Sequence, residues 1–168
     1  MRFDAKGESC TSPSRVFIHK SLKPKYLEIL KNKIEKLKIG LPWEEDTDVG
    51  PVVSKKQYDR IKSFIDGAIK EGAELYSGGY QIEDKSLKDG YFIKPTILNH
   101  VTQNMTVANE EIFGPVVSVI EWEDENEVIK MANSVKYGLT GYVITNDMDK
   151  AKKIADQIES GYIWINAA

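Results

Sequence analysis

The 168 residues contain one cysteine and two histidines. A lone thiol excludes an intramolecular disulfide and points to a reducing compartment, here the cytoplasm. His19 falls inside an apolar run and His100 at the end of another, and neither belongs to a cluster with metal-ligand spacing, so no metal site is expected. No apolar run reaches the roughly 18 residues that a membrane span requires. The leading MRFDAKGES lacks the apolar stretch of a secretory signal. Neither G-x-x-x-x-G-K-[ST] nor a post-strand G-x-G-x-x-G occurs, which removes the common phosphate-cradling loops. Excess positive charge is missing too. Twenty-three basic side chains stand against 26 acidic ones, a net charge of −3, so no nucleic-acid partner is expected.

What remains is the composition of a globular domain, with 41% hydrophobic, 29% charged and 10% aromatic residues. At this length a single domain over residues 1–168 is expected. Arg15 to His19 reads as a strand. Tyr26, Leu27, Leu30, Ile34 and Leu37 recur at helical spacing between Pro24 and Ile39, with Gly40 as the stop. The lysines on this helix read as a solvated face. Gly40 to Pro51 is turn-rich. Ser54, followed by Gln57, has the spacing of a capping box and opens a helix that Gly72 ends. Leu75 to Ser77 is a short extended run. Tyr91 to Leu98 is extended as well, and Pro95 points to a sheet edge or an irregular strand there.

The final third alternates most clearly. Val116 to Trp122 is a buried strand, and Asp124 caps a helix running to about Lys136. Thr140 to Thr145 is a strand, a helix starts near Asp147, and Tyr162 to Asn166 is a further strand. Strand, helix, strand, helix, strand with short links predicts an α/β fold: an open, mostly parallel twisted sheet flanked by helices. Such a strand needs cover on both faces. The chain ends just after one, which leads us to expect cover from material outside this chain or from a partner.

Two places can carry chemistry. Cys10 lies in KGESCTSPSR, a polar, small-residue stretch with no apolar pattern to bury a thiol. It admits two readings, a small buried hydrophobe or a nucleophile presented with its own backbone N–H toward a developing oxyanion. Lys6 and Arg15 are near enough in sequence to support a thiolate. The second place is EEIFGP, Glu110 to Pro115. It reads either as a loop with its Phe anchored in the core, or as a carboxylate for ligand hydroxyls beside an aromatic for a flat ring.

FDAKGESC, from Phe3 to Cys10, resembles the active-site cysteine signature of the aldehyde dehydrogenase superfamily. An aromatic residue there precedes a Gly-[Gln/Glu] pair by four positions, and the nucleophile follows two positions after the pair. DTDVGP (Asp46 to Pro51), GYFIKPTIL (Gly90 to Leu98), EEIFGPV (Glu110 to Val116), YGLTGYVIT (Tyr137 to Thr145) and SGYIWIN (Ser160 to Asn166) continue the likeness in the family's order. Glu8 stands where Gln is commoner, and Ser12 departs from a small apolar residue.

The resemblance implies the catalytic-domain fold of that family and an NAD(P)-dependent oxidation of an aldehyde to a carboxylic acid. Cys10 is then the nucleophile, passing through a thiohemiacetal and a thioester, with its N–H supplying half of the oxyanion hole. Glu111 is the carboxylate for the nicotinamide ribose, Phe113 the ring near the nicotinamide, and Gln57 and Arg60 polar contacts to a cofactor ribose. NAD or NADP is the implied cofactor and an aldehyde the substrate. The family's amino-terminal NAD(P)-binding domain, with its oxyanion-hole asparagine and general-base glutamate, and its carboxy-terminal segment have no counterpart in these residues. The resemblance therefore also implies a chain inactive as a dehydrogenase by itself, which forms a homo-oligomer or pairs with a missing amino-terminal part. The alternative is a non-catalytic remnant serving as an interaction or oligomerisation module.

Overall fold

The computed structural model describes residues 3–167. Its centre is a four-stranded sheet built from β1 (Arg15–His19), β2 (Glu74–Gly79), β3 (Lys94–Val101) and β4 (Val116–Trp122), in the order β1-β4-β3-β2. The pairs β1–β4 and β3–β4 are parallel, and β2 joins β3 antiparallel. A second, two-stranded parallel sheet pairs β5 (Thr140–Val143) with β6 (Tyr162–Ile165). The continuous sheet expected from the alternation of the last third is thus divided in two. Among the described residues β5 pairs with β6 and not with the central sheet.

Period-two alternation decides what each face of the central sheet buries. Leu98 and Val101 of β3, with Val116 and Ile120 of β4, join Ile61, Ile65 and Ala68 of helix α2 (Lys55–Lys70) in one core. Ile97, Val117 and Val119 turn the other way, onto Leu27 and Ile34 of helix α1 (Lys23–Ile34) and onto Phe3. With both faces covered, β4 can be apolar at almost every position, as its sequence suggested.

Helix α1 stops at Ile34, five residues before the expected end. The chain leaves the helix because other partners take its backbone: the Asp48 carboxylate accepts from the Lys38 N–H at 2.7 Å, and Ile39 bridges to Val49. Of the two readings of Pro95 the irregular strand holds, since β3 lies between β4 and β2 and is no edge. Between the pairs Ser77–Ile97 and Gly79–Lys94 β3 carries one residue more than β2, and there the Thr96 hydroxyl accepts from the Gly79 N–H at 2.9 Å. A short helix, α3 (Thr106–Asn109), connects β3 to β4. Helices α4 (Glu125–Asn133) and α5 (Met148–Ala155) are capped by Asp124 and Asp147, whose carboxylates each accept two backbone N–H groups.

Candidate active site around Cys10

Cys10 is exposed, which removes the buried-thiol reading. Its presentation begins upstream. Ala5, Lys6 and Gly7 form a left-handed turn with φ of 49°, 60° and 68°. Only glycine fits at the third position: a Cβ on Gly7 would lie 2.1 Å from the Gly114 carbonyl oxygen. The cysteine segment and the Glu-Glu-Ile-Phe-Gly-Pro turn are thereby in direct backbone contact, although more than 100 residues separate them. The Glu8 carboxylate then reaches forward, accepting from the Val53 N–H at 3.0 Å and pairing with Lys6 Nζ at 3.4 Å. The Ser12 N–H donates to the Ser9 carbonyl at 3.2 Å, closing a turn with Cys10 at its corner.

Behind the sulfur, the Tyr142 hydroxyl on β5 donates to the Thr11 carbonyl at 2.6 Å, and the Ser118 N–H donates to the Ser14 carbonyl as the chain enters β1. Arg15 is directed elsewhere. Its guanidinium donates to the Met131 and Ala132 carbonyls at the end of α4 and stacks over Phe17. Lys6 remains beside the cysteine turn, but its ammonium is already paired with Glu8.

The facing turn is held from below. Gln57 Nε2 donates to the Ile112 and Phe113 carbonyls at 3.1 and 2.6 Å. Arg60 donates to the Ile112 carbonyl at 2.6 Å and to the Glu111 carbonyl. Three successive carbonyls are therefore gripped by two side chains one turn apart on α2. The Ser54 hydroxyl caps this helix through the Gln57 N–H, while the Gln57 side chain goes to the turn instead of closing the box. The grip supports an unusual backbone, for Phe113 has φ of 55°. Next to it, a Cβ on Gly114 would meet Ile61 Cδ1 at 2.4 Å.

The two carboxylates of the turn diverge. Glu110 accepts from the Tyr137 hydroxyl at 2.9 Å and from Lys136 Nζ at 3.1 Å, and these bonds, the tyrosine's foremost, hold its carboxyl below the usual carboxylate range. Glu111 has no side-chain partner among the described residues and is half-buried beside the half-buried Phe113. A cleft of about 300 Å³ lined by Ile34, Leu37, Ile39, Ser77, Gly78 and Pro95 shares no residue with this site. No group of three or more His, Cys, Asp or Glu side chains able to hold a metal occurs among the described residues. None of their helices is long and apolar enough to cross a membrane.

Sequence reasoning named Cys10, Glu111, Phe113, Gln57 and Arg60. The structure brings the last four together in one turn and its support, and sets the cysteine segment against that turn through Gly7. The roles of Tyr142, Glu8 and the Glu110–Tyr137–Lys136 group were not foreseen. Local pattern carries no sign of contacts between residues 131 or 45 positions apart.

A model of the aldehyde dehydrogenase family matches residues 1–168. The protein named "Putative aldehyde dehydrogenase" of Staphylococcus saprophyticus is 48% identical over 162 residues, which are 96% of this chain and 34% of that protein. Its namesake in Staphylococcus haemolyticus is 49% identical over the same length. The crystal structure of Staphylococcus aureus betaine aldehyde dehydrogenase in complex with NAD+ superposes with a TM-score of 0.92 at 38% identity, covering 96% of this chain and 32% of that one. A Bacillus cereus aldehyde dehydrogenase matches with the same score and identity. The chain spans about a third of the length of these relatives. With the family's model matched from end to end and its fold reproduced, the chain belongs to the aldehyde dehydrogenase family.

Proposed function

We propose that residues 1–168 form one domain, the cysteine-bearing catalytic part of an NAD(P)-dependent aldehyde dehydrogenase that works in the cytoplasm, and that Cys10 is its nucleophile. The observation that carries this reading is the contact of Gly7 with Gly114, which sets an exposed thiol's segment against the turn bearing Glu111 and Phe113. The Cys10 sulfur forms a bond to the aldehyde carbon as the carbonyl electron pair moves to oxygen, giving a thiohemiacetal oxyanion toward which the Cys10 N–H can donate. NAD(P)+, when bound, supplies the hydride acceptor. Glu111 would accept from its ribose hydroxyls and Phe113 would pack on its nicotinamide. Gln57 and Arg60 act from beneath, through the carbonyls they already hold, so that both side chains above keep one geometry. Water then adds to the Cys10 thioester, releasing the carboxylic acid and restoring the thiol.

By itself the 168-residue chain is expected to oxidise no aldehyde. A missing general base costs about 10²–10⁴-fold, a missing oxyanion donor about 10²–10³-fold, and without the rest of the dinucleotide site the hydride has no acceptor. The purified chain with NAD+ or NADP+ and a panel of aldehydes should yield no NAD(P)H absorbance. Aldehyde-dependent NADH formation that disappears in Cys10→Ala overturns the inactivity, while leaving Cys10 as the nucleophile.

A second reading, an interaction or oligomerisation module, draws on one feature: Leu139, Ile144, Tyr162 and Trp164 are exposed around the β5–β6 sheet. On this reading the chain self-associates or takes up a polypeptide carrying the rest of the relatives' length. Light scattering that finds a strict monomer at high concentration, together with no uptake of such a polypeptide, counts against it.

A further inference from the structure

The turn that carries Cys10 is shaped by local bonds: the Ser12 N–H to the Ser9 carbonyl at 3.2 Å, and the Ser9 hydroxyl with the Thr11 hydroxyl at 3.1 Å and the Thr11 N–H at 3.4 Å. Such bonds shape a turn without fixing its tilt relative to the rest of the molecule. Tilt has to come from outside. On the upstream side it is set by Gly7 against Gly114 and by Glu8 on the Val53 N–H. Directly after the sulfur, the Tyr142 hydroxyl donates to the Thr11 carbonyl at 2.6 Å. Tyr142 pairs in register with Trp164 in the middle of the β5–β6 ladder, so its ring is mounted on a hydrogen-bonded strand of the second sheet.

We propose that Tyr142 is a positioning residue for Cys10: by holding the Thr11 carbonyl it fixes the turn so that the Cys10 sulfur and the Cys10 N–H address the same carbonyl group. The inference rests on the reading of Cys10 as a nucleophile toward carbonyl carbon. It also makes the second sheet a participant in the site, because the register of β5 and β6 sets where the phenol stands.

Cys10 is the sole cysteine, so thiol chemistry on the intact chain reports it alone. Iodoacetamide alkylation forms an S–C bond as iodide leaves and generates no oxyanion. p-Nitrophenyl acetate is attacked at its carbonyl carbon, gives an oxyanion, and collapses with loss of p-nitrophenolate to leave an acetyl thioester on Cys10. Tyr142→Phe keeps the ring and removes only the donor. It should slow acetylation about fivefold, a fraction of the loss typical of an oxyanion donor, and leave alkylation within about twofold of the parent. Amide hydrogen exchange over residues 9–12 should rise, with that of β5 and β6 unchanged. Acetylation within twofold of the parent, or a parallel fall of both reactions, overturns the proposal. Should Tyr142→Phe fail to fold, 4-aminophenylalanine placed at position 142, which keeps an N–H donor at the same point of the ring, must retain the parent's ratio of acetylation to alkylation, or the proposal is lost. Cys10→Ala provides the separation from the underlying reading. Ester cleavage undiminished in that variant defeats the nucleophile, whereas the exchange of residues 9–12 in Tyr142→Phe still decides whether Tyr142 holds the turn.

Discussion

The central sheet, parallel except where β2 joins β3, and the parallel β5–β6 ribbon both have helices against them, yet they stand differently toward solvent. β3 and β4 bury nearly every side chain between α1 and α2. β6 alternates exposed and half-buried residues, and the exposed Tyr162 and Trp164 meet one another, ring centroids 5.0 Å apart and planes tilted by 58°. The difference shows what each region contributes. The four-stranded sheet supplies the stability that holds a strained cysteine turn and a left-handed Phe113. The ribbon supplies a single hydroxyl, delivered to one carbonyl, at little cost in buried area.

The sharpest way to break this comparison is a cavity. Ile61→Ala in α2 removes a fully buried side chain that touches both the core and Gly114. It should cost about 2–5 kcal/mol in chemical denaturation, while Tyr162→Ser at the exposed start of β6 on the ribbon stays within about 1 kcal/mol. Equal losses would show that the ribbon is as much a part of the core as the central sheet.

Gly7→Ala tests the junction of the two loops. The added Cβ meets the Gly114 carbonyl, and the left-handed φ costs about 1–2 kcal/mol besides. We expect a lowered unfolding midpoint and slower acetylation of Cys10 together. Ser54→Ala removes the cap of the helix that carries Gln57 and Arg60, and should cost about 1 kcal/mol in the same denaturation assay.

The smallest effect belongs to Glu110, which ties the Glu110–Pro115 turn to residues 136 and 137 near the ribbon. Its carboxyl titrates lower in the folded protein than in the unfolded chain, chiefly through the Tyr137 hydroxyl and then through Lys136. The stabilisation is therefore complete above the unfolded carboxylate value and is lost as pH falls through the folded one. Unfolding midpoints followed from about pH 6 to pH 3 should fall less steeply in Glu110→Gln than in the parent. Parallel slopes would mean that this tie contributes nothing.

Much of the fold was readable because its signals are local. Asp124 and Ser54 cap the helices they were expected to open, and the helix expected near Asp147 does begin there, since a cap needs only a short side chain and the next two or three N–H groups. β4 announced itself as an unbroken apolar run. The end of α1 was misjudged because a distant group, the Asp48 carboxylate, satisfied backbone that local pattern left unaccounted for. Pro95 left open an edge or an irregular strand, and only the place of β3 between β4 and β2 decided for the second.

The amino acids alone determined the family and the residue types of the site, because motif order and helix caps depend on neighbours in the chain. Which donors point at which carbonyls was settled only in three dimensions. Gln57 and Arg60 grip the Glu111–Phe113 turn, Gly7 meets Gly114, and Tyr142 reaches Thr11. Hydrogen bonds require atoms within about 3 Å, and over such sequence separations only the packing of helices on sheets creates that proximity.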